Sequence, residues 1–439
     1  MGKFFGTDGI RGIAFTELTE DLVERVSLAT ASLFGGNNTT LLVGRDTRKS
    51  GLAFENAICR GFKAEGWDAL SVGIIPAPGI SYLCKTRKAY GVVISASHNP
   101  AEYNGIKFFS PNGHKLTDEE ENEIESRING YDLKSEDVSC SRDDSLQNNY
   151  TNELINAFDL DLSGMTVVID CAFGATYRIA PETLKKLGAE VIEHGTLADG
   201  DMINVDCGAT HPEMVSNMVR DNPGVIAGFS FDGDGDRCIA CDELGNTVDG
   251  DKIMGIISRS MKSQNRLNKN IVVSTVMSNG GLADYLNRHG MTMERSKVGD
   301  RYVWKRMLES DAYLGGEQSG HVIIRDRATT GDGLVTALSL LESIDVLKNN
   351  LSALSKEIPT YPQLLINVKV KDKNTVLDSG IIDELHLWAD EQFNGNGRIL
   401  IRPSGTEPKI RVMSESPSLD ECKRVCEHTA NRIRENFGI

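Results

Sequence analysis

No stretch of this chain approaches the ~18 consecutive apolar residues of a membrane-spanning helix, and the opening MGKFFGTDGIRG holds no apolar core of the kind a secretory signal carries. Met1-Gly2 would suit N-myristoylation, but Gly6 stands where that signal takes Ser or Thr. Cationic residues are also in short supply: 47 Lys and Arg face 63 Asp and Glu, a net charge of −16. That deficit excludes general nucleic-acid binding and adhesion to an anionic membrane surface. Cysteine is sparse and unpatterned. The nine residues are an odd number without framework spacing and read as reduced thiols. Cys238 and Cys241 form a C-x-x-C, but no second pair or zinc-type histidine spacing goes with them, so they read as a small-residue pair in or after a strand. The expectation is a soluble, cytoplasmic protein with neither nucleic-acid nor membrane partner.

What is present is ordinary globular chemistry in quantity. The 439 residues, 40% hydrophobic and 25% charged, have the balance of a folded chain rather than a disordered one. At about 150 residues per domain the length suggests about three domains. A coarse internal repeat agrees. TTLLVGRDTRKSG, MTVVIDCAFGAT and NIVVSTVMSNGG each read as a β-branched run ending in a small or polar turn. Each is followed by a helical stretch that closes on glycine and then by a second extended stretch. Strand–helix–strand units therefore start near Thr39, Met165 and Asn270. Thr117 and Glu120 have capping-box spacing ahead of the acidic run DEEENEIESRI, read as a helix with a solvated face. Residues 134–149 read as a polar linker or surface loop. From about Tyr361 the repeat gives way to a strand, a polar helix, the loop IRPSGTEP, a strand and a last helix, a fourth and smaller α+β unit.

Ligands of open α/β sheets sit beyond the carboxyl ends of strands, so the loops there are where chemistry is sought. In Asp232-Gly233-Asp234-Gly235-Asp236-Arg237, three carboxylates at i, i+2 and i+4 repel one another unless a cation or protons intervene. Hard oxygens of this kind suit Mg²⁺, which leaves coordination positions for phosphate. An EF-hand loop is the rival: with Asp232 at position 1, Glu243 falls at position 12, but Arg237 holds position 6 where a glycine is required. Ser95-Ala96-Ser97-His98-Asn99-Pro100 sets a serine beside a histidine. On an extended chain adjacent side chains point to opposite faces, which leaves His98 poorly placed as a base for Ser97, and the G-x-S-x-G elbow is missing. Taken alone the loop reads as a polar turn as readily as a nucleophile. Arg402-Pro403-Ser404-Gly405-Thr406-Glu407-Pro408, with Arg411 on the next strand, offers what a phosphate needs, and equally what a surface turn has. Gly316-Glu317-Gln318-Ser319-Gly320-His321 brings a carboxylate, an amide and a hydroxyl suited to sugar hydroxyls; His321 alone reads as a structural histidine.

Together and in this order, these four loops resemble those of the α-D-phosphohexomutase superfamily, over essentially the whole chain. The opening Phe5-Gly6-Thr7-Asp8-Gly9-Ile10-Arg11-Gly12, the segment Asn104-Gly105-Ile106-Lys107-Phe108-Phe109, Asp170-Cys171-Ala172 and Val298-Gly299-Asp300-Arg301-Tyr302-Val303 agree with it. Phe173 departs from the family pattern, which has Asn in that turn. The resemblance implies an α/β protein of four domains around a central cleft: three related mixed-sheet α/β domains and a smaller C-terminal α+β domain. On this chain they are expected at 1–150 with a phosphoserine loop, 151–250 with a metal loop, 251–360 with a sugar loop and 361–439 with a phosphate loop.

The activity implied is interconversion of glucosamine 6-phosphate and glucosamine 1-phosphate, for amino-sugar and cell-wall precursor synthesis. Ser97 is expected to carry a phosphoryl group that passes to the free hydroxyl of the substrate, with a sugar 1,6-bisphosphate as intermediate and primer. Ser97, Asp232, Asp234 and Asp236 are the implied Mg²⁺ ligands. Arg11 and Arg237 are expected at the transferring group, with Lys107 and His98 as acid–base partners. Glu317, Ser319, His321 and Arg301 are the implied substrate contacts, and Arg402, Ser404, Gly405, Thr406 and Arg411 the clamp for the distal phosphate. A homodimer is implied as well. The rivals are a phosphoglucomutase or phosphomannomutase, and, in a different class, a phosphatase with Asp232 as nucleophile. The net charge is expected to resolve into a positive cleft inside an acidic shell.

Overall fold

The computed structural model describes residues 4–6, 8–35, 39–131, 139–404 and 407–439. Within them the β-branched runs form four sheets. In the first, the strands stand in the order Ile10–Ile13, Tyr103–Phe109, Tyr90–Ile94, Thr40–Arg45, Asp68–Ile74, Ser141–Arg142. The second runs Thr247–Val248, Cys238–Asp242, Val225–Phe231, Thr166–Asp170, Glu190–His194. The third runs Thr292–Ser296, Ile271–Thr275, Leu314–Gly316, Val322–Ile324.

One topology underlies all three. Two parallel strands joined through a helix pair side by side, a third parallel strand lies beside the first, and a fourth returns antiparallel next to the third. The repeating units begin at Thr40, Thr166 and Ile271, so the periodic pattern of the sequence marks a repeat of topology. The central parallel strands are buried almost throughout, as continuous runs such as LLV and VVID require of sheets covered on both faces.

The chain folds into two compact units, residues 1–277 with 290–357, and residues 278–289 with 358–439. The second unit is an antiparallel sheet of Gln363–Lys369, Lys409–Glu415 and Arg398–Pro403 with helices packed on it. Its last helix, Leu419–Phe437, buries Cys422, Val425, Cys426, Thr429, Ala430 and Ile433, the i, i+3, i+4 stripe of an amphipathic helix. Ser418 caps it by accepting from Glu421 N at 3.3 Å.

Three expectations are corrected. The segment read as a linker holds the edge strand Ser141–Arg142 and the start of helix Gln147–Asn156, where buried Gln147 donates to Val72 O at 2.6 Å; residues 134–138 of that segment lie outside the described residues. Its polar composition hid an edge strand, which needs no apolar face. The acidic helix Asp118–Arg127 has its capping box, but it is not simply solvated: Glu121 and Ile124 are buried. The cysteines are not all free thiols. Cys59, on helix Gly51–Ala64, is joined to Cys140 across 81 residues at a Cα–Cα distance of 5.5 Å, and the other seven are free and buried. Tertiary folding alone brings that pair together, so spacing could not announce it.

Helix Gly333–Leu347 starts from Asp332, whose Oδ1 accepts from Leu334 N and Val335 N at 3.0 Å each while Oδ2 accepts from Tyr150 Oη at 2.7 Å. Burial outweighs these bonds and pushes the carboxyl up to about 6 from its ordinary 3.8. A carboxyl raised in the folded state favours folding while protonated, so this contribution is present below about pH 4 and is lost as pH rises through 6. The difference is about 3 kcal/mol. Asp332→Asn keeps an oxygen for the backbone donors and removes the titration. Its unfolding free energy is expected to gain about 3 kcal/mol on that of the unmodified chain between pH 4 and 7. A difference between the two proteins that does not change with pH would refute the assignment.

Candidate active site

The three motif loops of the first unit occupy one structural position. Residues 95–102 follow strand Tyr90–Ile94, 232–237 follow Val225–Phe231, and 317–321 follow Leu314–Gly316. Each connects the third parallel strand of its repeat to the antiparallel fourth. The repeat thus puts three different chemistries at equivalent sheet ends, as ligand sites of open α/β sheets require.

Ser97 is buried and has φ of 53°, in the left-handed region. Its Oγ donates to Asp232 Oδ2 at 2.6 Å and lies 3.2 Å from His98 Nδ1. The extended-chain expectation therefore fails: the left-handed turn swings the His98 ring back over the hydroxyl. Burial, with Arg237 and Arg11 nearby, pushes the His98 imidazole down to about 4, so it is neutral at pH 7.

The loop is held by groups that no sequence motif marks. Arg48, 1% exposed, donates to the carbonyls of Ser97 at 3.0 Å, Asn99 at 2.7 Å and Tyr103 at 2.8 Å, while its Nε bonds Asp46 at 2.9 Å. Ser95 Oγ links Asp46 to the Ser97 amide. From the second repeat, Asn204 donates to the Ser97 and Asn99 carbonyls at 2.9 and 3.1 Å. At Gly233 a Cβ would stand 2.4 Å from the Ser97 carbonyl oxygen, so only glycine permits this approach of the two loops.

Asp232, Asp234 and Asp236 converge, with one oxygen of each within 4.8 Å of the others, and all three are buried. Gly235, at φ of 70°, lets the backbone curl between them. Asp234 Oδ2 accepts from Lys107 Nζ at 2.8 Å, and Asp236 Oδ2 lies 3.5 Å from His321 Nδ1. Asp234 Oδ1 and Asp236 Oδ1 are buried without a hydrogen-bond partner among the described residues. Burial and then the repulsion of Asp236 and Asp234 hold the Asp232 carboxyl well above its usual range. Asp236 is also buried, but His321 and Lys107 more than offset that and draw it down. Orphaned oxygens on converging carboxylates fit a hard divalent cation, and Asp232, Asp234 and Asp236 are the residues here that could hold one.

Beyond the triad, Asp8 joins Arg11, Lys107 at 2.7 Å and Lys115 at 2.6 Å, and Lys115 continues to Asp300. The three cations hold Asp8 well below the usual carboxylate range in spite of its burial. Lys107 is raised in turn: burial would lower it, but Asp234 and Asp8 outweigh burial. Arg11 Nη1 reaches Asn99 Oδ1 at 3.2 Å, and Arg237 lies 3.9 Å from Asp236. Arg11, Lys107, Lys115 and Arg237 thus face Asp8, Asp232, Asp234, Asp236 and Asp300. With a divalent ion set against the aspartate triad, as the expectation has it, positive charge would outweigh the carboxylates in this part of the site.

In the third loop, Glu317 Oε1 accepts from Gly299 N at 3.0 Å, Gln318 is tied to Asp249 at 3.1 Å, and Ser319 is exposed. His321 turns toward Asp236, its Nε2 lacking a hydrogen-bond partner among the described residues. Arg301 is directed to the acidic helix, bonding Asp118 and, at 3.2 Å, Glu121. A cavity of about 410 Å³, within the range of small-molecule sites, is lined here by Lys115, Asp300, Arg301, Trp304 and His321.

On the second unit, Arg402 and Arg411 are direct cross-strand partners. Burial and then the charge of Arg411 press the Arg402 guanidinium down, and Arg411 Nε is buried without a hydrogen-bond partner among the described residues. Like charges set opposite one another destabilise a sheet unless an anion joins them. In the same loop the Ser404 carbonyl accepts from Lys373 Nζ at 2.7 Å, and Ser404 Oγ accepts from Glu407 N at 3.4 Å. Gly405 and Thr406 lie outside the described residues.

The chain is similar to known proteins along its length. Residues 2–135, 148–245, 249–361 and 365–432 match the phosphoglucomutase/phosphomannomutase alpha/beta/alpha domains I, II and III and C-terminal domain, respectively. A phosphoglucosamine mutase of Thermotoga neapolitana is 46% identical over 99% of both chains, and one of Alkaliphilus oremlandii is 44% identical over 100% of both. A phosphoglucomutase/phosphomannomutase family protein from Burkholderia thailandensis, 24% identical, shares the fold over 100% of both chains with a TM-score of 0.82. With four consecutive domain matches and full-length identity of this order, the chain belongs to the phosphoglucosamine mutase family of phosphohexomutases.

Proposed function

We propose that this chain interconverts glucosamine 6-phosphate and glucosamine 1-phosphate through a phosphorylated Ser97. The observation that carries the reading is the Ser97 hydroxyl, 2.6 Å from a carboxylate of a buried aspartate triad and 3.2 Å from a neutral imidazole. Mg²⁺, held by Asp232, Asp234, Asp236 and the phosphorylated Ser97, would supply the charge neutralisation that phosphoryl transfer needs.

The remaining work falls to the chain. Arg11 and Arg237 stand beside the loop and stabilise charge on the moving phosphoryl group. His98, neutral at pH 7, takes the proton of the attacking sugar hydroxyl as the Ser97 Oγ–P bond breaks and the sugar O–P bond forms. Lys107, held protonated by Asp8 and Asp234, serves as a fixed cation and gives a proton to the Ser97 oxygen as it leaves. For the second half-reaction the bisphosphate is turned end for end, and its other phosphoryl group returns to Ser97. Glu317 and Ser319 hold sugar hydroxyls. His321 orients Asp236 as well as facing the sugar, and Arg301 frames the pocket through its ion pairs with Asp118 and Glu121. Arg402, Ser404, Gly405, Thr406 and Arg411 bind the phosphate that is not reacting. The domain division at 150, 250 and 360, a cytoplasmic location and a homodimer belong to the same proposal and rest on the family likeness.

An isomerisation assay primed with a hexose 1,6-bisphosphate tests it. Glucosamine phosphates are expected to be turned over at least ~10-fold faster than glucose or mannose phosphates, the discrimination that a few polar contacts supply. A strong preference for glucose 1-phosphate would make the chain a phosphoglucomutase. Release of inorganic phosphate as the main product would favour the phosphatase, which Asp232 serves poorly because its oxygens are occupied by Ser97 and Arg237 N.

A further inference from the structure

Asp170, His194 and Cys207 form a second cluster of metal-ligand type, each offering one ligand atom within 4.8 Å of the others. The proposed reaction uses none of them. Asp170 and His194 end adjacent parallel strands as direct register partners, and Cys207 comes from the loop that follows. Asp170 and Cys207 are fully buried. The Asp170 carboxylate accepts from Ala172 N at 2.9 Å and Gly208 N at 2.5 Å, but among the described residues it has no Lys or Arg partner. No described residue hydrogen-bonds either nitrogen of the His194 ring. Phe173 lies edge-on to that ring at 5.6 Å and itself has φ of 51°, a conformation in which the family's Asn is at ease. The Cys207 sulfur lies 3.9 Å from Met202 O and accepts from the Asn204 backbone, and no described side chain bonds it. A turn-capping role accounts for the carboxylate. It does not account for an imidazole without a hydrogen-bond partner among the described residues and a thiol, both converging on that carboxylate.

We propose that Asp170, His194 and Cys207 bind a structural zinc ion, separate from the catalytic cation. One oxygen, one imidazole nitrogen and one thiolate are a borderline donor set that suits Zn²⁺, whereas Mg²⁺ takes oxygen alone. A buried carboxylate with no Lys or Arg partner among the described residues gains its counter-charge in this way. Water or His211 fills the fourth position; His211 is near enough to act electrostatically on Asp170, and its Nδ1 is already turned to Glu213 at 3.1 Å. Zinc takes the thiolate form of cysteine, so binding releases the Cys207 proton. The ion would pin the loop that carries Asn204, and Asn204 holds the carbonyls of Ser97 and Asn99. It would therefore stiffen the phosphoserine loop without touching the substrate.

The test is zinc and cobalt titration of the full chain in excess Mg²⁺, which keeps the aspartate triad filled. About one zinc per chain is expected to remain after dialysis, and the cobalt form is expected to show a thiolate-to-cobalt charge-transfer band. Cys207→Ser and His194→Gln are expected to abolish the band and weaken zinc binding by at least ~10–100-fold, while Cys171→Ser keeps both. Circular dichroism checks that the variants fold; His194 is only half-buried, so its replacement perturbs packing least. Zinc at background level, or a band that survives Cys207→Ser, would overturn the proposal.

Discussion

Ser97→Ala is expected to lower turnover by at least about 10⁴-fold while leaving the protein folded. The loop around residue 97 is positioned through its backbone: Arg48 and Asn204 hold the Ser97 carbonyl at 3.0 and 2.9 Å, and Ser95 Oγ accepts from the amide at 2.9 Å. Alanine keeps all of these. What it loses is the Oγ bonded to Asp232 at 2.6 Å, and with it the atom proposed to carry the phosphoryl group. Neither His98 nor the aspartate triad can substitute, because both act on a group that must first be attached. Intact-mass measurement should find one phosphoryl group on the unmodified chain and none on the variant, and the bisphosphate primer should not restore the variant. A variant that still isomerises glucosamine phosphates would end the phosphoserine reading, and one that releases phosphate at the original rate would point to Asp232 as nucleophile.

The parts of this site legible in the sequence are those concentrated in short loops. A β-branched run that stops at a cluster of Gly, Ser and Asp marks a sheet end, so the loops holding Ser97, Asp232 and Glu317 can be found with no structure. The repeat is legible for the same reason, since Thr40–Arg45, Thr166–Asp170 and Ile271–Thr275 are each a strand leading to such a loop. Single residues that act through three-dimensional neighbours are not. Asp8, Lys115 and Asp300 lie in separate segments and become one network only when folded. Arg48 and Asp46 follow a strand that the sequence does announce, yet a lone arginine there looks like any surface cation until its burial is seen. The left-handed turn at Ser97 is a backbone choice that no side chain announces, and it reverses the inference about His98. Arg301 and Glu121 become partners across 180 residues, which turns an apparently solvated acidic face into part of the pocket wall.

Lys107→Met is expected to destabilise the cation-free protein by about 3–5 kcal/mol, and a divalent cation is expected to restore part of that. Lys107 is 2% exposed, and its Nζ stands 2.7 Å from Asp8, 2.8 Å from Asp234 and 3.9 Å from Asp236. Methionine fills a similar volume, so the cost of a cavity is small and the effect isolates the charge. Asp8 keeps Arg11 and Lys115 in the variant, whereas Asp234 is left with neither oxygen satisfied, since its Oδ1 already lacks a hydrogen-bond partner among the described residues. The penalty therefore falls on a metal-site carboxylate, the one place where an added cation can relieve it. Ligand binding to the folded state stabilises by about 2.7 kcal/mol at 100 times the dissociation constant. With one competing positive charge removed, the triad binds the ion more tightly, so Mg²⁺ should stabilise the variant more than the unmodified protein. Denaturant unfolding of both proteins in chelator and in saturating Mg²⁺ measures this directly. A loss under about 1 kcal/mol, or a gap of the same size with and without the ion, would show that Lys107 does not balance the charge of the aspartate triad. Restored stability with turnover still lost would separate the two duties assigned to this lysine, since the ion replaces its charge but cannot replace it as proton donor.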